Sequence, residues 1–445
     1  MRMKERILFG QDVRSGRYEP TGSPALYEFC DELTGDTFGM DDACASRHML
    51  FLGGSGSGKT NAMNLLLAQA RASRDASDTA FVVFDPKGDY YTHPGFFRPG
   101  DVVLGTGKAF RDVCATWNVF EEVLADGDDM RDVEDNAHEV AAALFSDRGS
   151  QTQPFFASAA CSLFKHLILY LVRRSKEDPK RYEGQLNNAE LRRLVIQADA
   201  KMLARLFSVY PDMKGLVSYF GDGSTAQGLG VLAELKSMVY DCFQGTFAHA
   251  PAAGDPGFSV RRFVRNKGGH ALFVEYDLTR GHVLQPMYRL LLDLALKESM
   301  GIQVHGKTSL LLDELRLLPK LDHLDDALNF GRSKGVRVVA GLQSVEQMIA
   351  AYGEEQGKVV LGGFGSLVAM RVSDPYTCDY VCDRFGPNVV AYRYADWNGI
   401  PADRQRDGHV VEPWLIRSLA VGEAVVGLAT QDCPFLFCFP LDEED

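Results

Sequence analysis

The stretch Met49-Leu50-Phe51-Leu52-Gly53-Gly54-Ser55-Gly56-Ser57-Gly58-Lys59-Thr60 decides how the rest of the chain is read. Four apolar residues predict a buried strand. The segment Gly53, Gly54, Ser55, Gly56, Ser57, Gly58 then predicts a glycine-rich loop opening a helix from Asn61 to about Ala72. This is the spacing of a phosphate-binding P-loop, and the strand before and helix after supply the context that separates it from an ordinary flexible turn. Glycines let the backbone curl around a polyphosphate with its N–H groups inward, where a Cβ would collide. Lys59 has the reach for the terminal phosphates, the Thr60 hydroxyl suits Mg²⁺, and the helix adds its positive end. The expectation is a nucleoside triphosphate site.

Downstream, Ala80 to Phe84 is a continuous apolar run that stops at Asp85-Pro86-Lys87-Gly88-Asp89, the pattern of a central parallel strand. Strand, helix, strand implies a right-handed crossover and an α/β sheet, whose ligands bind beyond the carboxyl ends of the strands. Asp85 and Lys87 are therefore candidate neighbours of the site, although the turn geometry alone explains them equally well. A second apolar strand, Thr308 to Leu312, delivers Asp313 and Glu314 at its carboxyl end. That is what a Walker B element needs: a rigid strand, an anion for hydrated Mg²⁺ (Asp313), and a carboxylate to orient and deprotonate water (Glu314). Val336 to Leu342 is expected to form another strand ending at Gln343-Ser344, a place from which a polar side chain can sense a γ-phosphate through water. Ser366 to Val372, Glu423 to Ala429 and Cys433 to Phe439 read as further strands, and residues 1–46 as a lead-in strand or hairpin.

Between Asp126 and Asp222 the pattern becomes helix after helix, with Asn187 and Asp199 placed as caps. The expected division is an α/β domain, residues 1–125 with 223–445, carrying an inserted all-α domain at 126–222. The insert is rich in basic residues, among them Lys165, Arg173, Arg174, Lys176, Arg192, Arg193, Lys201 and Arg205. They form either a contact surface for nucleic acid or an acidic partner, or plain solvated helix faces.

The 445 residues leave room for about two to three domains. A net charge of −13 argues against a protein coating nucleic acid over its whole surface, but not against contact through a few basic loops. Nine scattered cysteines, with no C-x-x-C pair, read as core thiols in a reducing cytosol. Cys378 and Cys382 stand one helical turn apart without further ligands at metal spacing. No apolar run follows Met1 to Arg6 as in a signal peptide, and the longest apolar segment, Leu167 to Val172, is too short for a bilayer. A soluble protein is expected.

A GTPase would need Asn-Lys-x-Asp, and Asn266-Lys267 is followed by two glycines. Two carboxylates ending a Walker B strand, with a further strand and Gln beyond, suit ATPases with a catalytic glutamate rather than small-molecule kinases. Five stretches stand out together: Arg47-His48-Met49-Leu50, Phe84 to Asp89, Phe258-Ser259-Val260, Leu312-Asp313-Glu314 and Val410-Val411-Glu412-Pro413. Most specific is a sixth, Phe330-Gly331-Arg332-Ser333-Lys334-Gly335-Val336 through Gln343-Ser344, with Gln347 and Tyr352-Gly353. On these residues the chain, from about Arg47 to Pro440, resembles the type IV secretion coupling proteins of bacterial conjugation.

The resemblance implies a RecA-like P-loop NTPase sheet with helices on both faces, an inserted all-α domain, a hexameric ring and ATP-driven movement of DNA. By motif match Gly53 to Thr60 hold the phosphates, Thr60 and Asp313 hold Mg²⁺, Glu314 is the catalytic base and Gln343 the sensor. Arg332 is the arginine finger reaching a neighbour's ATP; the plain alternative is a surface arginine after a helix. Implied partners are DNA, chiefly single-stranded, a relaxase, the secretion channel and further copies of the chain. Most family members begin with two membrane-spanning helices, and this sequence shows none; the alternatives are a soluble subtype that docks on a membrane partner or a missing anchor, and the expected location is the cytoplasm or the inner face of the membrane. The rival expectations are a nucleotide-gated adaptor that recruits relaxase or effector without pumping, and a related DNA-processing translocase of the chromosome-segregation kind.

Overall fold

The computed structural model describes residues 5–15, 23–93, 95–146, 148, 154–301, 305–395 and 401–441. Of the basic opening, Met1 to Arg6, the first four residues lie outside the described ones. The chain forms two compact units, Met1–Val83 with Gly306–Asp445, and Phe84–His305.

In the first unit the apolar runs become strands of one sheet. Their order is Arg14–Ser15, Phe435–Cys438, Glu423–Gly427, Ser366–Met370, Met49–Leu52, Val336–Leu342, Lys307–Leu312 and Thr79–Asp85, the last crossing the unit boundary at its end. Met49–Leu52 pairs in parallel with both Val336–Leu342 and Ser366–Met370, and Val336–Leu342 pairs in parallel with Lys307–Leu312. Every residue of Met49–Leu52, Val336–Leu342 and Ser366–Met370 is buried, as expected of strands covered on both faces. The tail strands Glu423–Gly427 and Phe435–Cys438 add antiparallel pairs at the Ser366–Met370 side. The hairpin Tyr27–Cys30/Thr37–Met40 joins them through an aromatic cluster: Phe29 stacks on Phe38 at 5.0 Å, and Phe38 meets Phe435 and Phe437 edge-on. A separate three-stranded antiparallel sheet is built from Glu5–Phe9, Pro387–Ala395 and Pro401–His409.

At the amino end of these parallel strands lies an ion network centred on a buried arginine. The Arg337 guanidinium, only 4 % exposed, is 2.5 Å from Asp42 and 2.6 Å from Asp75, and Lys307 contacts the same two carboxylates. Burial pushes Asp75 up, but hydrogen bonds from Lys307 and Arg337 outweigh it and hold the carboxyl well below the usual range.

The second unit is mainly helical around the parallel pair Ala271–Glu275 and Val102–Leu104. The predicted caps form: Asn187 accepts from the N–H of Glu190, and Asp199 from that of Met202. Among the described residues only one helix, Pro154–Glu177, is long and apolar enough in composition to cross a bilayer. It outruns the six-residue apolar segment seen in the sequence because Ala, Ser and Cys extend its apolar face. Leu163, Phe164, Leu167 and Ile168 are fully buried, and the helix packs on Met130–Phe145 and Ala226–Cys242. Glu122 knots this unit together: its buried carboxylate accepts from the Trp117 indole, the Ser259 hydroxyl and the N–H groups of Val260 and Arg261.

Candidate nucleotide site

The loop after Met49–Leu52 is pinned by the strands on either side. The Gly53 N–H donates to the carbonyl of Leu342 at 3.1 Å and the Gly54 N–H to that of Arg371 at 2.8 Å. The Ser57 carbonyl accepts from the N–H of Gly422 at 3.0 Å. At Gly53 and Gly58 a side chain does not fit. A Cβ on Gly53 would stand 2.4 Å from Ser57 Oγ, and Gly58, at φ +97°, would press one against Gly422. The N–H groups of Ser55, Gly56, Gly58, Lys59 and Thr60 carry no hydrogen bond among the described residues, so the loop and the start of helix Lys59–Ala72 offer a ring of donors to an anion.

The acidic strand end lies beside it. The Thr60 hydroxyl donates to Asp313 Oδ2 at 3.1 Å, and Lys59 Nζ stands 4.0 Å from Glu314 Oε2. Gln343 Nε2 donates to the same Oε2 at 2.7 Å, and Arg316 Nε donates to Oε1 at 2.9 Å. Glu314 itself sits at φ 60°, ψ 57°, a left-handed conformation that costs a non-glycine residue on the order of 1–2 kcal/mol. It turns the chain sharply at the strand end, so that Asp313 and Glu314 both reach towards the loop.

Lys59, Thr60, Asp313, Glu314 and Gln343 are therefore brought together. Arg332 is not with them. It lies in the short turn Gly331–Lys334, before the strand Val336–Leu342, whereas Gln343 follows that strand. Seven residues of strand span roughly 23 Å, beyond the reach of one side chain. The Arg332 side chain makes no ion pair or hydrogen bond among the described residues. It lines a cleft of about 440 Å³ with Arg74, Lys307, Arg337 and Asp42.

Three contributors were missed in the sequence. Gly341 lets Val336–Leu342 pass close to the acidic pair, since a Cβ there would be 2.9 Å from Asp313 Oδ1 and 3.1 Å from Met63 Sδ. A lone glycine in a strand does signal such an approach. Arg316 carried no signal. Nor did the tail, where the Pro440 carbonyl accepts from Asn61 Nδ2 at 2.8 Å and Gly422 backs the P-loop.

Asp85 and Lys87 lie in the second unit. The Asp85 carboxylate accepts from the N–H groups of Gly88 and Tyr91, locking the Pro-Lys-Gly turn, and burial raises its pKa to about 6. Lys87 is exposed near Asp89. Many basic residues of the helical stretch are already paired: Lys165 with Glu134, Arg173 with Asp212, Arg174 with Glu177, Lys176 with Asp128 and Arg193 with Glu190. Cys378 and Cys382 are buried free thiols, and burial pushes Cys382 up to about 12.

Among solved structures the chain is similar to the bacterial conjugative coupling protein TrwBdeltaN70 in its unbound form, at 22 % identity and a TM-score of 0.71, covering 99 % of this chain and 95 % of that one. TrwB in complex with ADP and Mg²⁺ matches at 21 % identity and 0.68, again over 99 % and 95 %. VirB4 of Thermoanaerobacter pseudethanolicus matches at 14 % identity and 0.55, over 95 % and 98 %. These likenesses show the fold, that of a RecA-like P-loop NTPase. No curated protein matches the sequence. The family model for the type IV secretion-system coupling protein DNA-binding domain matches residues 37–410, and the chain belongs to that family.

Proposed function

We propose that the chain is an ATPase that couples ATP hydrolysis to movement of single-stranded DNA, or of a relaxase–DNA complex, towards a type IV secretion channel. One observation carries the chemistry: Lys59, Thr60, Asp313, Glu314 and Gln343 converge at neighbouring strand ends beside a loop of unspent N–H donors. TrwB, similar in fold, has been solved with ADP and Mg²⁺ and with ATP and GTP analogues.

In this reading the N–H groups of Ser55, Gly56, Gly58, Lys59 and Thr60 cradle the phosphates and Lys59 reaches the γ-phosphate. Thr60 and Asp313, already 3.1 Å apart, are the oxygens that would hold Mg²⁺, which when bound offsets charge on the β- and γ-phosphates. Glu314 orients and deprotonates the attacking water, and Gln343, hydrogen-bonded to it, links its position to the γ-phosphate. Arg332, a strand's length away, serves a neighbouring protomer's ATP, which makes a closed ring, a hexamer, the working form. The helical stretch 126–222 is assigned as an inserted domain that contacts DNA or relaxase, and the complex works at the inner face of the membrane through its partners.

The test is ATP turnover by the full chain with and without single-stranded DNA. The motor reading expects stimulation, and abolition of turnover by Lys59→Ala. Unstimulated turnover together with tight relaxase binding would refute pumping and leave an adaptor.

A further inference from the structure

Both oxygens of the Glu314 carboxylate are engaged. Oε2 accepts from Gln343 and faces Lys59, while Oε1 accepts from Arg316 Nε at 2.9 Å. Each oxygen keeps a second lone pair, but a carboxylate that takes a proton from water must aim that lone pair at the water, and these bonds fix which way the group points. Gln343 and Lys59 belong to the phosphate side of the site and stay with it. Arg316 does not. It lies two residues on, in the short turn Leu315–Leu317 that the left-handed Glu314 backbone initiates, and its side chain is 43 % exposed while that of Glu314 is 13 % exposed. Its guanidinium thus joins a shielded carboxylate to solvent. It has further N–H groups to offer an outside anion, and a planar fork suited to a phosphate.

We propose that Arg316 is a positioning residue that restrains Glu314 at rest, and that a phosphodiester of bound polynucleotide draws it away and frees the carboxylate for catalysis. DNA stimulation of turnover is then a competition for one guanidinium. A part-exposed ion pair is weak enough for a phosphate to replace, yet strong enough to slow turnover measurably. This inference rests on the proposed role of Glu314 as the hydrolytic base.

The experiment compares the full chain with Arg316→Ala and Arg316→Lys, at saturating ATP and Mg²⁺, with and without oligo-dT. Arg316→Ala is expected to raise turnover without DNA by roughly two- to fivefold, the range that breaking such a pair allows. It should shrink the stimulation factor by the same amount and leave KM for ATP unchanged; Arg316→Lys, which keeps the charge, should recover part of the restraint. Oligo-dT binding to the ADPNP-bound protein supplies a readout independent of hydrolysis: the Ala variant should lose about 0.7 from the slope of log K against log salt, one phosphate contact. Lower DNA-free turnover with undiminished stimulation, or an unchanged salt slope, would overturn the proposal. Absence of any ATP hydrolysis by the unmodified chain would instead strike the underlying reading of the site.

Discussion

Gly341→Ala tests how the core of the sheet sets the geometry of the acidic pair. Gly341 lies inside the buried strand Val336–Leu342 and is not among the glycines at positive φ, so alanine suits its backbone and recovers about 0.5–1 kcal/mol of strand entropy. Against this, the new methyl meets Asp313 Oδ1 at 2.9 Å, Met63 Sδ at 3.1 Å and the Glu314 N–H nitrogen at 3.4 Å. Overpacking of this kind costs about 1–3 kcal/mol. The cost is offset only in part, and the fold should lose between about 0 and 2.5 kcal/mol. The site should lose far more. Met63 can move aside, but Asp313 is tied to Thr60, and shifting it moves a carboxylate expected to hold Mg²⁺. A displacement approaching 1 Å costs about a hundredfold in turnover. Calorimetry together with ATP turnover titrated against Mg²⁺ reads both. The expected outcome is a melting temperature within a few degrees of the unmodified chain, a weakened Mg²⁺ response and turnover down about ten- to a hundredfold. Unchanged turnover and Mg²⁺ response would refute the reasoning, and so would wholesale unfolding.

Two further perturbations probe the amino ends of the same strands. His48, 2 % exposed and at φ 61°, accepts the Val338 N–H on Nδ1 at 3.1 Å, and burial lowers its pKa to about 4. The unfolded chain then binds more protons than the folded one between pH about 6.5 and 4, so stability is complete above that window and falls by up to about 3 kcal/mol as pH drops through it. His48→Asn, which tolerates the left-handed backbone and keeps an acceptor, should remove that component; an identical pH dependence in denaturant titrations would contradict this. Asp75→Asn takes one of two carboxylates from the buried Arg337 and should destabilise the first unit by about 1–3 kcal/mol, because Asp42 remains as partner. A denaturation midpoint equal to that of the unmodified chain would show the network to be dispensable.

The nucleotide loop and the acidic strand end were legible because each motif is local. A run of apolar residues sets the strand, and the next few residues must stand at its carboxyl end. Strand edges were read within one or two residues, as at Val336–Leu342. What escaped are contacts between distant positions. Asn61 meets the Pro440 carbonyl 379 residues away, and Gly422 supports the P-loop from the tail. No pattern in either segment points at the other. Gln343 was placed at the site, yet its bond to Glu314 depends on the register of two parallel strands, which sequence does not specify. Arg316 was illegible for another reason: its direction follows from the left-handed turn at Glu314, a conformation rare for glutamate. The basic helical stretch was legible as composition, but its pairing with Asp128, Asp212 and Glu134 is a matter of packing.

The central claim is a triphosphate held by one protomer and completed by Arg332 of the next. Lys59→Ala and Arg332→Ala are each expected to be inactive alone, since loss of an arginine finger costs on the order of 10³–10⁵ in turnover. Mixed in equal amounts and allowed to assemble, they should recover about a quarter of the activity of the unmodified chain, because one interface in four joins an intact Lys59 to an intact Arg332. No recovery from folded, co-assembled variants, or full activity in Arg332→Ala alone, would contradict a site shared between protomers.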